Sequence, residues 1–444
     1  MNDPSMNATA PTVSAPSISA PTVSTFAVPV IATQTAVRDR IASIDVYRGM
    51  VMFLMLAEML HLYGLKDVFQ GEGWLAKGAQ WLAVHTTHVP WRGGSLHDMI
   101  QPSFTFLVGT AMAFSLVSRK ASGQSWDTLF FHALIRSLIL ILLGIFLRSL
   151  GKPATNFTFD DTLTQIGLGY WILFLLSGLS TPRLMVALVV ILLGYWFAFV
   201  VYPSPGEYFP YSQYGVPATW PEHYEGIASH FNKNSNLAWA VDRWWMNLFP
   251  RNKVYQFSSG GYATLSFIPT LGTMLLGLLA GRILQGNSSK PAKQIWLWIS
   301  AALCVGAAIA IDAEGWCPIV KRIWTPTWVL WSGGLCFVWL AVLNLVCDIA
   351  GFKRWGSFFL VIGANSIVAY VMSWTLKEPI RLAIERHFGF LVTRLDECVG
   401  WMVKPLVQTE QSPSFRPMLL GALTLAIMWL VLLWMYRRKI FVKI

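Results

Sequence analysis

Apolar and polar residues run along this chain in long blocks. From about residue 40 onward, apolar stretches recur between short charged or Pro- and Gly-rich connections, and ten can be drawn: 47–65, 99–118, 131–150, 163–180, 184–202, 264–284, 294–312, 326–347, 355–376 and 416–436. A helix needs roughly 20 apolar residues to cross the hydrocarbon of a bilayer, and only a helix or a closed barrel satisfies its backbone there. The pattern therefore predicts an all-α, polytopic integral membrane protein with about ten transmembrane helices. Three segments break the rhythm and are predicted as long loops: 66–98, 203–260 and 377–415. The last holds an amphipathic stretch, 380–399, suited to lying on a membrane surface. Residues 1–37 differ again, being rich in Ala, Pro, Ser and Thr with no Lys or Arg before Arg38. They have neither the basic start nor the apolar core of a secretory signal and are expected to form a disordered tail, with the transmembrane domain over 38–444.

An even number of spans puts both termini on one side. Arg119, Lys120, Arg183, the 282–293 connection, Lys353, Arg354 and the closing Arg437, Arg438 and Lys439 fall on the same side as Arg38 and Arg40. Short basic loops stay in the cytoplasm, so both termini are expected inside and the three long loops outside. The chain is 55% hydrophobic and only 12% charged, about half the charge of a soluble domain. Its net charge of +11 then reports topology and does not point to nucleic acid. A bacterial inner membrane is the expected location. Cys304, Cys336 and Cys347 fall within apolar spans and read as small hydrophobes. Cys317 and Cys398 fall in loops on one side, which leaves a disulfide between them open.

In so apolar a chain, candidate chemistry concentrates where polar groups meet a span. The stretch from His85 to Gly109 carries His85, His88, His97 and Asp98 directly ahead of the second span. Histidine titrates near neutrality and can accept a proton from an attacking amine or hydroxyl. A carboxylate on its second ring nitrogen fixes the tautomer. His88 and Asp98 are separated by Pro90, Gly93 and Gly94, so a turn can join them. Asp98 can equally cap the following helix, and the two roles are compatible. The histidines also admit a metal reading, with His97 or Asp98 completing a set begun by His85 and His88. No HExxH-like spacing supports it, and no metal is expected.

Glu58 and His61 share a helix face near the end of the first span, where an acid needs a partner or water. Asp45 and Arg48 flank its start, as an ion pair or, for Arg48, as a ligand for an anion. Arg136 and Arg148 bracket the third span and can snorkel to the interfaces. Gln165 and Asn365 suit hydrogen bonds between helices. Aromatic residues in the long loops, Trp244 and Trp245 among them, suit either a platform for a sugar or an interfacial belt. No Walker loop, GxSxG elbow or dinucleotide fingerprint is present.

Six blocks in order carry a resemblance: Arg40 through Ser43, Asp45 and Arg48 to Gly49; His88-x2-Trp91-x-Gly93-x4-Asp98-x3-Pro102-x-Phe104-x-Phe106-x2-Gly109; Leu163 and Gln165 through Gly167 to Tyr170; Lys321-x2-Trp324-Thr-Pro326; Gly363-Ala-Asn365-Ser366 to Tyr370; and Arg438-Lys439 to Lys443. Together they resemble the heparan-α-glucosaminide N-acetyltransferase family over essentially 40–444. The resemblance implies a transmembrane enzyme that takes acetyl-CoA from the cytosol and acetylates a terminal glucosamine across the membrane. His88 then matches the active-site histidine, Asp98 its partner, and Asn365 a residue of the transfer path. It also implies a homodimer. The sequence departs from heparan-acting members at Ala57-Glu58-Met59, where those carry an Asn, and in the loop leading to His88. Their large amino-terminal luminal region and leading helix are also expected to have no counterpart here. The acceptor is therefore left open.

The leading expectation is an acetyltransferase moving an acetyl group from cytoplasmic acetyl-CoA to an amino sugar or glycan at the outer face. His88 and Asp98 are its catalytic pair. Trp91, Phe104, Glu58 and Asn365 are expected around the acceptor, and Arg48, Gln165 and Arg136 around acetyl-CoA. Its partners are membrane lipid and the sugar acceptor. The alternative is a transporter or flippase that uses the same cluster as a gate. A non-catalytic membrane protein is the third reading. Whether His88 itself becomes acetylated or only deprotonates the acceptor is not decided by the sequence.

Overall fold

The computed structural model describes residues 41–407 and 413–442; the expected tail over 1–37 lies outside them. Fifteen α-helices follow one another: α1 Ala42–Leu56, α2 Leu65–Val68, α3 Trp74–His85, α4 Ile100–Ala121, α5 Trp126–Ser149, α6 Thr162–Leu176, α7 Thr181–Val201, α8 Leu237–Trp245, α9 Phe267–Gln285, α10 Lys290–Ala313, α11 Pro326–Leu343, α12 Ser357–Ala364, α13 Ser366–Thr375, α14 Lys377–Val403 and α15 Arg416–Arg437. Their starts follow local chemistry. The Ser125, Asp161, Ser289 and Thr325 side chains accept from free backbone N–H groups of α5, α6, α10 and α11, and proline opens α7, α10, α11 and α15, where no donor is lost. Among the described residues there is no β-strand, only isolated bridges from Arg92 and Gly93 to Val320.

The chain is an integral membrane protein: among the described residues seven helices are long and apolar enough to cross a bilayer, and up to nine if two bent pairs each count as one span. The bent pairs break at residues that cannot continue a helix. His61 is left-handed (φ 50°) at the 51° bend between Ala42–Leu60 and Leu62–Val68, and Asn365 sits at the 65° bend between Arg354–Ala364 and Ser366–Thr375. The expected span at 163–180 is α6, only 15 residues long, which is short of the roughly 20 needed to cross. Against the ten spans expected, the described residues hold seven straight ones, or up to nine if each bent pair is one span.

Helix α9 is central and α10 peripheral: 72% of the best window of Thr264–Gln285 is buried, against 17% for Lys290–Ala313. Small residues let α4 and α9 touch backbone to backbone. A Cβ on Gly109 would lie 1.8 Å from the Met274 carbonyl oxygen, and one on Gly277 would lie 1.8 Å from that of Phe106. The Thr110 hydroxyl lies 3.0 Å from both the Phe106 and Gly277 carbonyls.

The segments predicted as loops carry structure of their own. Residues 66–98 contain α3, residues 203–260 contain α8, and the amphipathic stretch belongs to the 27-residue α14. Arg416 ties the start of α15 to Glu385 of α14 at 3.1 Å. The five cysteines are free: Cys317 is buried and lies 3.4 Å from the Thr327 hydroxyl, whereas Cys398 is exposed on α14. The disulfide left open by the sequence is absent.

Candidate functional site

Two loops cross at one end of the bundle. The segment between α3 and α4 meets the segment between α10 and α11. Gly93, at φ +81°, a backbone region that favours glycine, donates its N–H to the Ile319 carbonyl at 2.8 Å. Arg92 pairs with Asp312 at 2.8 Å, and the Arg322 guanidinium donates to the Val89 carbonyl at 3.0 Å. These contacts bring Lys321 to residues more than two hundred positions earlier in the chain.

At the crossing, His88 Nδ1 lies 2.7 Å from Asp98 Oδ1. The Lys321 ammonium lies 2.9 Å from the same oxygen. Oδ2 accepts from the backbone N–H groups of Val89 at 3.1 Å and Ser95 at 3.0 Å. The Asp98 N–H in turn points to the Ser95 hydroxyl at 3.3 Å, so Ser95 and Asp98 form the reciprocal contact of a capping box ahead of α4. Asp98 thus braces the turn ahead of α4 and holds a histidine at once. Its carboxylate is fully buried, as is Lys321 at 4% exposure, whereas the His88 side chain stays 39% exposed. A buried carboxylate needs such donors and a cation to remain charged.

Lys321 also comes within 3.3 Å of His88 Nδ1. Both nitrogens are donors aimed at Asp98, so Nδ1 keeps its proton and Nε2 is left as the basic nitrogen. Burial lowers the His88 pKa below the ordinary histidine value; the Asp98 hydrogen bond opposes this, and the charges of Lys321 and Arg322 reinforce it. Burial likewise lowers that of Lys321, against the pull of Asp98. Neutral His88 is a competent base near pH 7.

His88 opens on a cavity of about 640 Å³, lined also by Glu58, His97, Phe104, Arg148 and Trp374 among others. The His97 ring packs on that of His88, with centroids 4.4 Å apart. Arg322 covers the Tyr262 ring at 4.5 Å and Arg148 the Trp374 ring at 5.1 Å, and all four line the cavity. Aromatic faces together with charges of both signs can hold a hydroxyl-rich molecule.

Of the residues expected at the site, His88, Glu58 and Phe104 line this cavity and Asp98 stands directly behind His88. Others do not converge there. Trp91 is fully buried and packs with Phe199, Phe231 and Val320 beneath the loop crossing, so it supports the cavity wall from behind. Asn365 donates to the Ile440 carbonyl at 2.9 Å and accepts from Val442 N–H at 3.0 Å, tying down the C-terminal segment. Gln165 is buried, with its amide nitrogen committed to the carbonyls of Phe159 and Thr264. Arg136 contacts the Tyr170 hydroxyl at 3.2 Å midway along α5, and Arg48 pairs with Asp45 at 3.5 Å in the first half of α1. His85 accepts from Leu96 N–H at 3.2 Å, which turns it away from any shared metal site. Lys321 was not singled out for chemistry by its sequence. Its signals were its place in the Lys321-x2-Trp324 block and an ionisable side chain between two apolar spans. Arg148 was read only as a residue snorkelling at the end of the third span, and Arg322, Tyr262 and Trp374 gave no signal beyond their residue type.

No family model matches the chain. Heparan-alpha-glucosaminide N-acetyltransferase of Homo sapiens is 24% identical to it across 92% of this chain and 61% of the human protein. The Mus musculus protein of the same name is 23% identical across 93% of this chain and 62% of its own length. The chain spans about three fifths of the length of these curated relatives. Similarity over more than nine tenths of this chain supports a family-level relationship with heparan-alpha-glucosaminide N-acetyltransferase.

Proposed function

We propose that this chain is a membrane-embedded acetyltransferase that moves an acetyl group from acetyl-CoA on the cytoplasmic side to an amino sugar or glycan on the outer side. The observation that carries the reading is the His88–Asp98 contact of 2.7 Å, with a buried carboxylate behind an accessible imidazole on a cavity of about 640 Å³, in a chain whose relatives are named acetyltransferases. His88 Nε2 takes the proton from the attacking amine or hydroxyl of the acceptor. Asp98 holds the ring in the tautomer that leaves Nε2 free and balances the positive charge that the ring acquires. Phe104, Tyr262 and Trp374 offer apolar faces to the acceptor, and Glu58, Arg148 and Arg322 offer it charged groups.

Acetyl-CoA would supply the acetyl group as an activated thioester. Its phosphates need cations. Arg119 and Lys120 at the end of α4, Arg183 in α7 and Lys290 at the start of α10 are exposed at the end of the bundle away from His88. Arg136 lies between the two ends, and its buried Nε has no partner among the described residues. These groups suit a ligand entering from the side opposite the acceptor. The reading is tested with protein in sealed liposomes, acetyl-CoA inside and a hexosamine-terminated glycan outside. Free CoA thiol inside and acetylated glycan outside are expected to rise in equal amounts; flux of the glycan with no acetyl-CoA consumed would overturn the reading in favour of transport.

A further inference from the structure

The function proposed above uses His88 and Asp98, but the cluster has a third charged member. Lys321 is 4% exposed, and its ammonium lies 2.9 Å from Asp98 Oδ1, the same oxygen that takes the His88 Nδ1 proton at 2.7 Å. It is held there by architecture: the Gly93–Ile319 and Arg322–Val89 contacts lock its loop to the His88 loop. A fully buried lysine is rare unless paired, and here the pair is shared with the proposed base.

We propose that Lys321 is a positioning residue that sets the charge of the His88 site, resting on the functional reading above. With Lys321 cationic and Asp98 anionic, the buried pair is neutral as a unit while His88 is neutral. Protonating His88 gives the cluster a net positive charge, with an ammonium 3.3 Å from the protonated ring. Lys321 therefore disfavours the imidazolium and keeps Nε2 unprotonated. Because Asp98 Oδ1 is shared between the two cations, its attraction for an imidazolium is divided. The other groups acting on or facing His88 are Arg322, which has the same sign of effect, the His97 ring at 4.4 Å and Asp98 itself, with Glu58, Tyr262, Arg148, Asp160, Asp161, Tyr370, Lys377 and Glu378 farther round the cavity wall. Of these, Lys321 is the buried cation in direct contact with both members of the pair.

The test reads the titration of His88 in two ways. One is the pH profile of acetyl transfer. The other is independent of transfer: the rate at which diethyl pyrocarbonate, which attacks neutral imidazole, modifies His88 as a function of pH, with the site assigned by tandem mass spectrometry. The Lys321→Met variant keeps side-chain length and removes the charge. It is expected to raise the apparent His88 pKa by about one unit or more and to move the acidic limb of the transfer profile upward equally. Lys321→Arg, which keeps the charge, is expected to stay within a few tenths of a unit of wild type, and it serves if the Met variant does not fold. An unshifted His88 titration in folded Lys321→Met, or a Lys321→Arg titration raised by a full unit, would overturn the proposal. A merely structural lysine would lower the rate at every pH without moving the limb. If wild type modifies and titrates as described but transfers no acetyl group, the functional reading fails and the positioning role stands. If transfer is robust but the His88 titration ignores Lys321, the reverse holds.

Discussion

The α4–α9 contact and the crossing of the His88 and Lys321 loops are held together by opposite means. In the first, polar backbone is satisfied within each helix, and glycines bring two helices so close that a single added Cβ would sit 1.8 Å from a carbonyl oxygen. In the second, two titratable side chains from distant stretches, His88 and Lys321, converge on one carboxylate oxygen of Asp98. The helix contact leaves no room for added volume and, at Gly109 and Gly277, uses no charged side chain. The crossing tolerates changes of shape at its exposed edge but not a change of charge at its buried centre. A rigid scaffold of the first kind is what allows a cluster of the second kind to be held in one geometry.

Substitutions that separate volume from charge break or sharpen this contrast. The largest effect is expected from His88→Ala: acetyl transfer falls by about 10²- to 10⁴-fold, while the thermal midpoint stays near that of wild type because the side chain is 39% exposed. Initial rates beside a melting curve check both halves. Asp98→Asn keeps the volume but removes the anion that fixes the tautomer, and a loss of about 10³-fold or more is expected. It also strands Lys321 as a buried cation, at a cost of about 3–5 kcal/mol, so transfer and stability fall together; a variant that lost activity with unchanged stability would refute the shared-carboxylate account.

Gly109→Ala is the converse. It adds only volume between α4 and α9, and overpacking should cost about 1–3 kcal/mol or more, read as a lowered unfolding midpoint, with the His88 titration of the surviving folded protein unmoved. A shifted titration would mean that the two regions are not separable. A smaller effect concerns pH. The base must be neutral, and burial together with the charges of Lys321 and Arg322 lowers the His88 pKa. Transfer should therefore persist as pH falls past the ordinary histidine value of about 6.5 and decline only below it, measured as kcat/KM against pH. The smallest effect is Asn365→Ala. It removes the contacts to Ile440 and Val442 and should speed amide exchange at Val442 with transfer rates unchanged.

The contrast also explains what the sequence disclosed. Apolar runs of about twenty residues announce spans, and the helices were legible to within a few residues; α6 was overextended because Ser177, Gly178, Leu179 and Ser180 beyond its end at Leu176 carry no charge to mark the boundary. Inside the long loops only the amphipathic part of α14 was legible; α3 and α8 were not, since they carry charges and aromatics on faces whose burial depends on neighbours. His88 and Asp98 were legible because they are ten residues apart, within reach of one turn. Lys321 joins them from 223 residues beyond Asp98, and a contact of that separation leaves no local periodicity to read. Trp91, Gln165 and Asn365 were drawn toward the site by residue type and by the blocks of the resemblance. Each instead meets a packing or hydrogen-bonding demand of the scaffold: Trp91 fills the space under the crossing, Gln165 satisfies loop carbonyls, and Asn365 anchors the C-terminal segment at a helix break. An amide or indole in a membrane helix is as often a structural partner as a ligand.

The central claim is that His88, oriented by Asp98, is the base for acetyl transfer. The most direct measurement supplies purified wild-type and His88→Ala protein, matched for folding by melting curve, with acetyl-CoA labelled in its acetyl group and a glucosamine-terminated acceptor, and follows label in the acceptor over time. The account predicts steady labelling by wild type and a rate at least about 10²-fold lower for His88→Ala. Equal labelling by the two proteins would contradict it.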